Sequence, residues 1–154
     1  MPLLAAAATG CGGSFVANQT VHITWPSPLA TVTVPFTASW TSTGHGHYRY
    51  AVFFDLLPIA PGHTMRDLAN TNCKRVPTCY PSPTDLSGLG VYITSADSLA
   101  VQTLPVVVSV EGYYHPPLQT MTVVLFSGTG NTTSGHRVGD ASWQIEFRGS
   151  NSLL

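Results

Sequence analysis

Hydrophobic and polar residues alternate with a period of two along most of this chain. Between residues 15 and 25 the alternation places one set of side chains on a single face: Phe15, Ala17, Val21, Ile23 and Trp25. Residues 31–41 alternate without a break, and their apolar face carries Val32, Val34, Phe36, Ala38 and Trp40. Such alternation is typical of a strand with one buried face. Pro35 falls on the outer face and lacks an N–H donor, so we expect the first half of this second strand to lie at a sheet edge.

Six further segments carry strand patterns, and helical periodicity is almost absent. These segments are 47–57, 90–95, 99–103, 105–114, 119–127 and 141–148. Residues 58–89 are irregular and rich in Pro and Gly, and only Thr64–Ala69 is expected to form a single helical turn. Many short strands separated by turns predict an all-β protein, specifically an antiparallel β-sandwich. We expect its core to contain Trp25, Phe36, Trp40, Tyr50, Val52, Phe54, Val108, Val124, Phe126 and Trp143.

One stretch of the chain, ITWPSPLATVTVPFTASWTS, resembles the opening of bacterial-type immunoglobulin-like domains. Those domains begin with an Ile-x-x-Pro strand and then a Val-x-x-Pro-Phe strand. Ile23 and Pro26 match the first pattern, and Val32, Pro35 and Phe36 match the second. The later VVVSVEGYY and TMTVVLF segments are similar to the closing hairpin of such domains.

This resemblance extends over about residues 20–127. It implies an immunoglobulin-like β-sandwich over residues 20–154, preceded by an extended N-terminal segment at residues 1–19. Domains of this kind are commonly modules of stalks, adhesins or filaments, such as pilus-like fibril subunits. They carry no family catalytic residue that can be transferred to this sequence.

The charge content of the chain is low. Charged residues make up 8% of the sequence and the formal net charge is -1, whereas about 25% charged residues is typical of soluble domains. The cations are scattered and only Lys74 and Arg75 are adjacent, which argues against nucleic-acid binding. A net charge near zero favours association between copies. No segment has the roughly 20 consecutive apolar residues of a membrane span.

Cysteines and glycosylation sequons indicate an extracellular location. Cys73 and Cys79 bracket the short loop NCKRVPTCY, for which we expect a disulfide rather than two reduced thiols. Asn18 and Asn131 each begin an Asn-x-Thr sequon, so covalent glycans are expected partners. The residues before Cys11 faintly resemble a bacterial lipoprotein site, but the apolar run is short and no positive residue precedes it.

The N-terminal segment MPLLAAAATGCGGS has small, apolar side chains, no charge and no helical period. Such a segment buries too little surface to order itself and needs a neighbouring surface. We expect it to pair with the sheet edge or groove of another copy, giving a helical homopolymer. The residues assigned to this assembly contact are Leu3, Leu4, Ala5, Ala6, Ala7, Ala8 and Phe15.

Side chains that carry catalytic chemistry do not form a recognisable motif. The carboxylates are dispersed and no Gly-x-Ser-x-Gly elbow occurs, so we expect a non-enzymatic protein without a cofactor. His45-x-His47 on a sandwich is similar to copper/zinc superoxide dismutases, but a second metal cluster and their glycine-rich C-terminal signature are missing. We therefore expect His45, His47, His63, His115 and His136 not to converge on one metal site.

Three alternatives remain open besides a filament subunit. The first is a carbohydrate-binding or adhesive β-sandwich, with Tyr80, Tyr113 or Tyr114 as stacking platforms. The second is a metal-binding sandwich enzyme of the copper/zinc type. The third is a jelly-roll capsid protein, although the sequence lacks a basic arm for a genome.

Overall fold

The computed structural model describes residues 20–43, 48–105, 118–127 and 132–150. Strands dominate these residues, and the only helices among them are one 3-10 turn at Met65–Leu68 and two short α-helices, α1 at Thr71–Lys74 and α2 at Pro83–Gly88. The strands are β1 Thr20–Trp25, β2 Thr31–Thr33, β3 Phe36–Thr43, β4 Arg49–Phe54, β5 Val91–Thr94, β6 Ser98–Val101, β7 Leu118–Phe126 and β8 Arg137–Ser150.

These strands form two sheets, as expected of an all-β sandwich. One sheet has three strands in the order β1-β3-β6, and the other has five in the order β2-β8-β7-β4-β5. Neighbouring strands run antiparallel, except that β2 pairs with β8 in parallel. The helical turn expected at Thr64–Ala69 is present as the 3-10 turn, which Thr64 caps. The segment 105–114 lies almost wholly outside the described residues.

The prediction of one continuous strand over residues 31–41 is wrong, although its alternation is correct. The strand breaks at Pro35, and β2 and β3 belong to different sheets. Val32, Val34 and Ala38 are buried while Thr31, Thr33 and Thr37 are exposed, because the chain keeps its apolar side towards the space between the sheets as it crosses. As Pro35 indicated, β2 lies at the edge of its sheet.

The prediction that Trp25 belongs to the core is also wrong, since 43% of its surface is exposed. Ile23 pairs with Trp40, but Trp25 pairs with Ser39, so Thr24 is an extra residue in β1. A bulge of this kind shifts the side chains that follow it to the opposite face of the sheet. Val21 and Ile23, before the bulge, are buried as expected.

The inner core fills the space between the two sheets. Six of the residues expected in the core are buried, but they divide between two cores rather than sharing one. Trp40, Tyr50, Val52 and Phe54 lie in this inner core, and Phe36 packs against it. The Trp40 and Tyr50 rings meet edge to face, 5.4 Å between centroids. Val108 and the side chain of Trp143 lie outside the described residues.

A second core lies on the opposite face of the five-stranded sheet. Val124 and Phe126, expected in the sandwich core, point to this outer side, together with Ala51 and Phe53. Residues 58–89, expected to be irregular, form the layer that covers this face where β4, β5 and β7 lie. The buried residues of the outer core are Ala51, Phe53, Ile59, Met65, Leu86, Val91, Val124 and Phe126.

Buried Arg137 ties the outer layer to the sheet, and buried Arg49 bonds to the residue that follows β7. Arg137 Nη1 donates to Ile59 O at 2.9 Å. The Arg49 guanidinium lies 5.6 Å from the centroid of the Phe126 ring, and its Nη2 donates to Ser127 O at 3.3 Å. Burial lowers the pKa of Arg49. Arg49 and Arg137, which look like scattered cations in the sequence, therefore make contacts that stabilise the fold.

Candidate functional site

The edge of the five-stranded sheet at β5 carries a groove, which we call the β5 groove. Its volume is about 280 Å³, and it is lined by Pro83, Leu86, Val91, Tyr92, Ile93, Leu99 and Thr133. Pro83 and Leu86 come from α2 on the outer side, whereas Leu99 comes from β6, the edge strand of the other sheet. The groove therefore follows the side of the sandwich where an edge of each sheet is open among the described residues.

Helix α2 forms the outer wall of the β5 groove, and its sequence explains why it begins at Pro83. Ser82 Oγ accepts from Asp85 N at 3.1 Å, and Asp85 Oδ2 accepts from Ser82 N at 3.0 Å. This is a reciprocal capping box with proline in the first turn. The hydrogen bonds from Ser82 lower the pKa of Asp85. Ser-x-x-Asp is a readable signal for the start of this helix, although residues 58–89 were expected to be irregular apart from Thr64–Ala69.

Gly90 positions β5 at the floor of the groove. Its φ is +79°, and a Cβ at this residue would lie 2.9 Å from Phe54 O. Phe54 N donates to Gly90 O at 2.8 Å, and bonded and non-bonded pairs alternate in an antiparallel ladder. The main-chain N–H and C=O groups of Val91 and Ile93 therefore point away from β4, and of these two residues Val91 is buried whereas Ile93 is half-buried.

A second cavity lies over the disulfide. The structure joins Cys73 and Cys79, the pair expected from the sequence, with their Cα atoms 5.2 Å apart. Arg66 ties this loop to the 3-10 turn by donating to Lys74 O at 2.9 Å and to Pro77 O at 2.8 Å. The cavity has a volume of about 360 Å³ and is lined by Leu68, Asn70, Cys73, Cys79, Tyr80, Pro81, Asp85 and Leu89.

Two of the candidate metal ligands, His63 and His136, lie in the described part of the chain, on neighbouring segments. An isolated bridge pairs Thr64 with His136. His63 Nδ1 lies 2.6 Å from Asp67 Oδ2, and His136 Nδ1 lies 2.7 Å from Ser127 Oγ. Within residues 20–43, 48–105, 118–127 and 132–150, no group of three or more His, Cys, Asp or Glu could hold a metal ion. His45, His47 and His115 lie outside those ranges.

Three of the described carboxylates have structural partners. Asp55, which directly follows β4 and has a φ of +51°, accepts from Thr120 N at 2.8 Å. Asp67 pairs with His63, and Asp85 caps α2. These contacts hold the backbone, and they bring no two of these three carboxylates together as an acid and base pair.

Several expected site residues lie outside the described part of the chain. They are the assembly residues Leu3, Leu4, Ala5, Ala6, Ala7, Ala8 and Phe15, the sequon residues Asn18 and Asn131, and the stacking candidates Tyr113 and Tyr114. Tyr80, the third stacking candidate, is half-buried in the cavity over the disulfide.

Comparisons with models of known protein families, with curated proteins and with solved structures return no match. Among the described residues, the helices are all too short to cross a membrane.

Proposed function

We propose that this protein is a structural, non-enzymatic subunit of an extracellular filament, in which residues 1–19 of one copy pair with β5 of the next. The observation that carries this proposal is the β5 groove. It combines an edge strand with an apolar slot, which are the two features that strand addition needs: main-chain groups for affinity and side-chain contacts for specificity.

The main-chain groups come from Ile93, which is half-buried and whose N–H and C=O point away from β4, whereas Val91 is buried. An exposed edge strand is a ready template for another strand, and proteins that stay monomeric usually protect such edges with charges or proline. Strand β5 reads Val-Tyr-Ile-Thr and contains neither. This composition supports a role for β5 as an acceptor edge.

The side-chain contacts would come from Leu86 on one side of the slot and Leu99 on the other. The donor segment offers Ala5–Ala8 between leucines and glycines, and such small residues suit a narrow slot between two elements. Nineteen extended residues span roughly 60 Å, far more than the four residues of β5 require. The segment is therefore long enough to reach a neighbouring copy.

An immunoglobulin-like identity of the sandwich is part of this proposal. In the order β2-β8-β7-β4-β5, β7 pairs with β4 on one side and with β8 on the other, as the corresponding strands do in the larger sheet of variable-type immunoglobulin domains. The switch of the chain from β1 to β2, between sheets, fits the same architecture. Domains of this type commonly serve as repeated extracellular modules.

An extracellular location and covalent glycans complete the proposal. The Cys73–Cys79 disulfide is compatible with an oxidising compartment. Glycans on Asn18 and Asn131 would keep a surface with few charges soluble. Since the donor segment and the groove are different surfaces, the contact is heterologous and grows an open helical filament.

The test is a pair of substitutions on the open edge, made in the full chain. Ile93→Pro removes the N–H that faces the incoming strand and leaves the ladder to β4 intact, whereas Ile93→Ala removes side-chain atoms but keeps the N–H. We expect the proline variant to stay folded by circular dichroism and to lose filaments in electron micrographs. The alanine variant should still form them. A chain lacking residues 1–14 should also remain folded and monomeric.

Filaments from the Ile93→Pro variant would contradict β5 as the acceptor. Filaments from the chain lacking residues 1–14 would contradict the donor role of the segment. Intact mass equal to the 16.3 kDa polypeptide in natively produced material would remove the glycan claim.

The cavity over the disulfide supports a second candidate, carbohydrate binding. The Tyr80 ring borders it, and Asn70 Oδ1 accepts from Cys73 N at 2.9 Å, which leaves the amide N–H groups of Asn70 as donors. Asp85 uses Oδ2 for the cap, which leaves its other oxygen as an acceptor. A glycan array probed with the full chain and with Tyr80→Ala tests this candidate, and equal signals from both proteins would exclude the cavity.

A further inference from the structure

We propose that a water molecule binds at one end of the inner core, held by Trp40, Ser42 and Tyr50 and bordered by Asp97. Such a site joins the two sheets, because Trp40 and Ser42 belong to β3 in the three-stranded sheet and Tyr50 belongs to β4 in the five-stranded sheet. The inference goes beyond the proposed function and does not depend on polymerisation.

Three buried polar atoms are the observation that carries this inference. Trp40 Nε1, Ser42 Oγ and the Tyr50 hydroxyl are all buried, and none has a hydrogen-bond partner within the part of the chain that the structure describes. Trp40 is 2% exposed and Tyr50 is 1% exposed. A buried donor or acceptor without a partner loses its hydration and gains nothing in return, and most such atoms in folded proteins bond to protein or to ordered water.

The side chains that carry these atoms lie together. Trp40 and Ser42 are alternate residues of β3, so they share the inner face of that strand. The Trp40 and Tyr50 rings meet across the space between the sheets, with 5.4 Å between their centroids. Burial is the main cause that raises the pKa of Tyr50, and the Ser42 and Asp97 side chains also act on it, so both are close to its hydroxyl. Neither contact has the geometry of a direct hydrogen bond.

Asp97 adds a carboxylate at the rim of the same site. Trp40 N donates to Asp97 O at 3.0 Å, which extends the pairing of Ser39 with Ser98 by one residue. Residues directly opposite each other in an antiparallel pair have their side chains on the same face, so Asp97 lies on the inner side with Trp40. Asp97 itself is exposed, and this end of the inner core is therefore close to the solvent from which a water molecule enters.

The donors and acceptors at this site match those of one water molecule. The indole N–H of Trp40 can only donate, a carboxylate can only accept, and the Ser42 and Tyr50 hydroxyls can do either. Water can therefore accept from Trp40 and Tyr50 while it donates to Ser42 and Asp97, and buried waters typically have two to four such partners. Because the Trp40 and Tyr50 rings pack directly against each other, a larger ligand does not fit beside them.

The test is magnetisation transfer from water to the Trp40 indole proton, measured by NMR on the isotope-labelled full chain, in solution or, where it forms filaments, in the solid state. The chain contains three tryptophans, and the indole signal that disappears in Trp40→Phe belongs to Trp40. In the wild-type protein we expect a cross-peak between water and this proton, with the sign of a direct dipolar contact rather than of chemical exchange.

A double variant and a matched control test what holds the water. Ser42→Ala combined with Tyr50→Phe removes both hydroxyls and should lose the cross-peak while the Trp40 indole signal remains, because cavities without polar partners stay dry. Ser39→Ala is the control, since it removes a hydroxyl from the opposite face of β3, where Ser39 lies 2.9 Å from Thr24 Oγ1. This control should keep the cross-peak.

Two results would overturn the inference. The first is a wild-type protein without the water cross-peak, or with a cross-peak from the Tyr50 hydroxyl proton in its place, which would mean that the polar side chains bond to one another directly. The second is a cross-peak that persists unchanged in the double variant, which would mean that the two hydroxyls do not hold the water. If the double variant does not fold, the wild-type measurement still decides whether water is bound, and neither result bears on the proposed filament.

Discussion

At β4, both faces of the five-stranded sheet are buried, but by very different partners. Strand β4 illustrates this, because Phe54 points to the inner core and its neighbour Phe53 to the outer core, and both are fully buried. The inner face is covered by a second sheet, whereas the outer face is covered by short helices, a disulfide loop and irregular backbone. A regular element is therefore not required to bury a sheet face, provided that the covering layer is held by other means.

The inner core and the outer layer are stabilised by different kinds of interaction. The inner core is built from long-range strand pairing and edge-to-face aromatic contacts such as Phe54 with Phe147. The outer layer is held by local devices: a cap at Ser82, a disulfide at Cys73, and arginine side chains bonded to main-chain carbonyls. We therefore expect damage to the inner core to act on the whole fold and loss of a local device to act mainly on the outer layer.

The largest expected effect comes from Phe53→Ala and Phe54→Ala. Each removes a fully buried ring, so each should lower the free energy of unfolding by about 3–5 kcal/mol in denaturant titrations. Leu57→Ala, at a leucine that is 84% exposed, is the control and should cost little. A cost for Phe53→Ala close to that of Leu57→Ala would show that the outer layer is not a second core.

Removing the disulfide is expected to have the next largest effect. The cysteines are six residues apart, and the loop-entropy relation then gives about 2 kcal/mol for replacing both by serine. Hydrogen exchange should accelerate at the amides of α1 and α2 and remain slow in β3 and β7. Faster exchange throughout both sheets would contradict the separation of the two cores.

The cap of α2 is expected to contribute less. Ser82→Ala removes the acceptor for Asp85 N and should cost about 1 kcal/mol. Because Ser82 lowers the pKa of Asp85, the stabilisation by this carboxylate is present above the unfolded pKa and is lost as the pH falls through the lower folded value. The wild-type protein should therefore lose stability in that acidic range, and Ser82→Ala should lose less. Parallel pH profiles for the two proteins would contradict the capping box.

Sequence alternation was sufficient to predict most residues of the inner core, because it shows which side of a strand is buried. It failed at Trp25, since a bulge adds one residue without altering the pattern of residue types. It also failed for the outer core, although Ala51 and Phe53 already made both faces of β4 apolar, which is the mark of a strand covered on both sides. The β5 groove could not be predicted from the sequence, because Leu86 and Leu99 line it together only once both sheets and α2 have formed.

The smallest expected effect concerns a polar atom inside the inner core. Burial raises the pKa of the Tyr50 hydroxyl above the ordinary value near 10. Above pH 10 the unfolded chain releases this proton and the folded chain retains it, so stability should decline with pH until the folded group also ionises. The slope can reach about 1.4 kcal/mol per pH unit. At neutral pH, Tyr50→Phe should change stability by no more than about 1 kcal/mol.

Thermal unfolding of the wild-type protein and of Tyr50→Phe between pH 8 and pH 12 tests whether the Tyr50 hydroxyl makes stability decline with rising pH. The phenylalanine variant lacks the ionisable group and should show a shallower decline, so the two stability curves should converge or cross in alkali. If Tyr50→Phe keeps the wild-type slope, the alkaline loss does not arise from the Tyr50 hydroxyl.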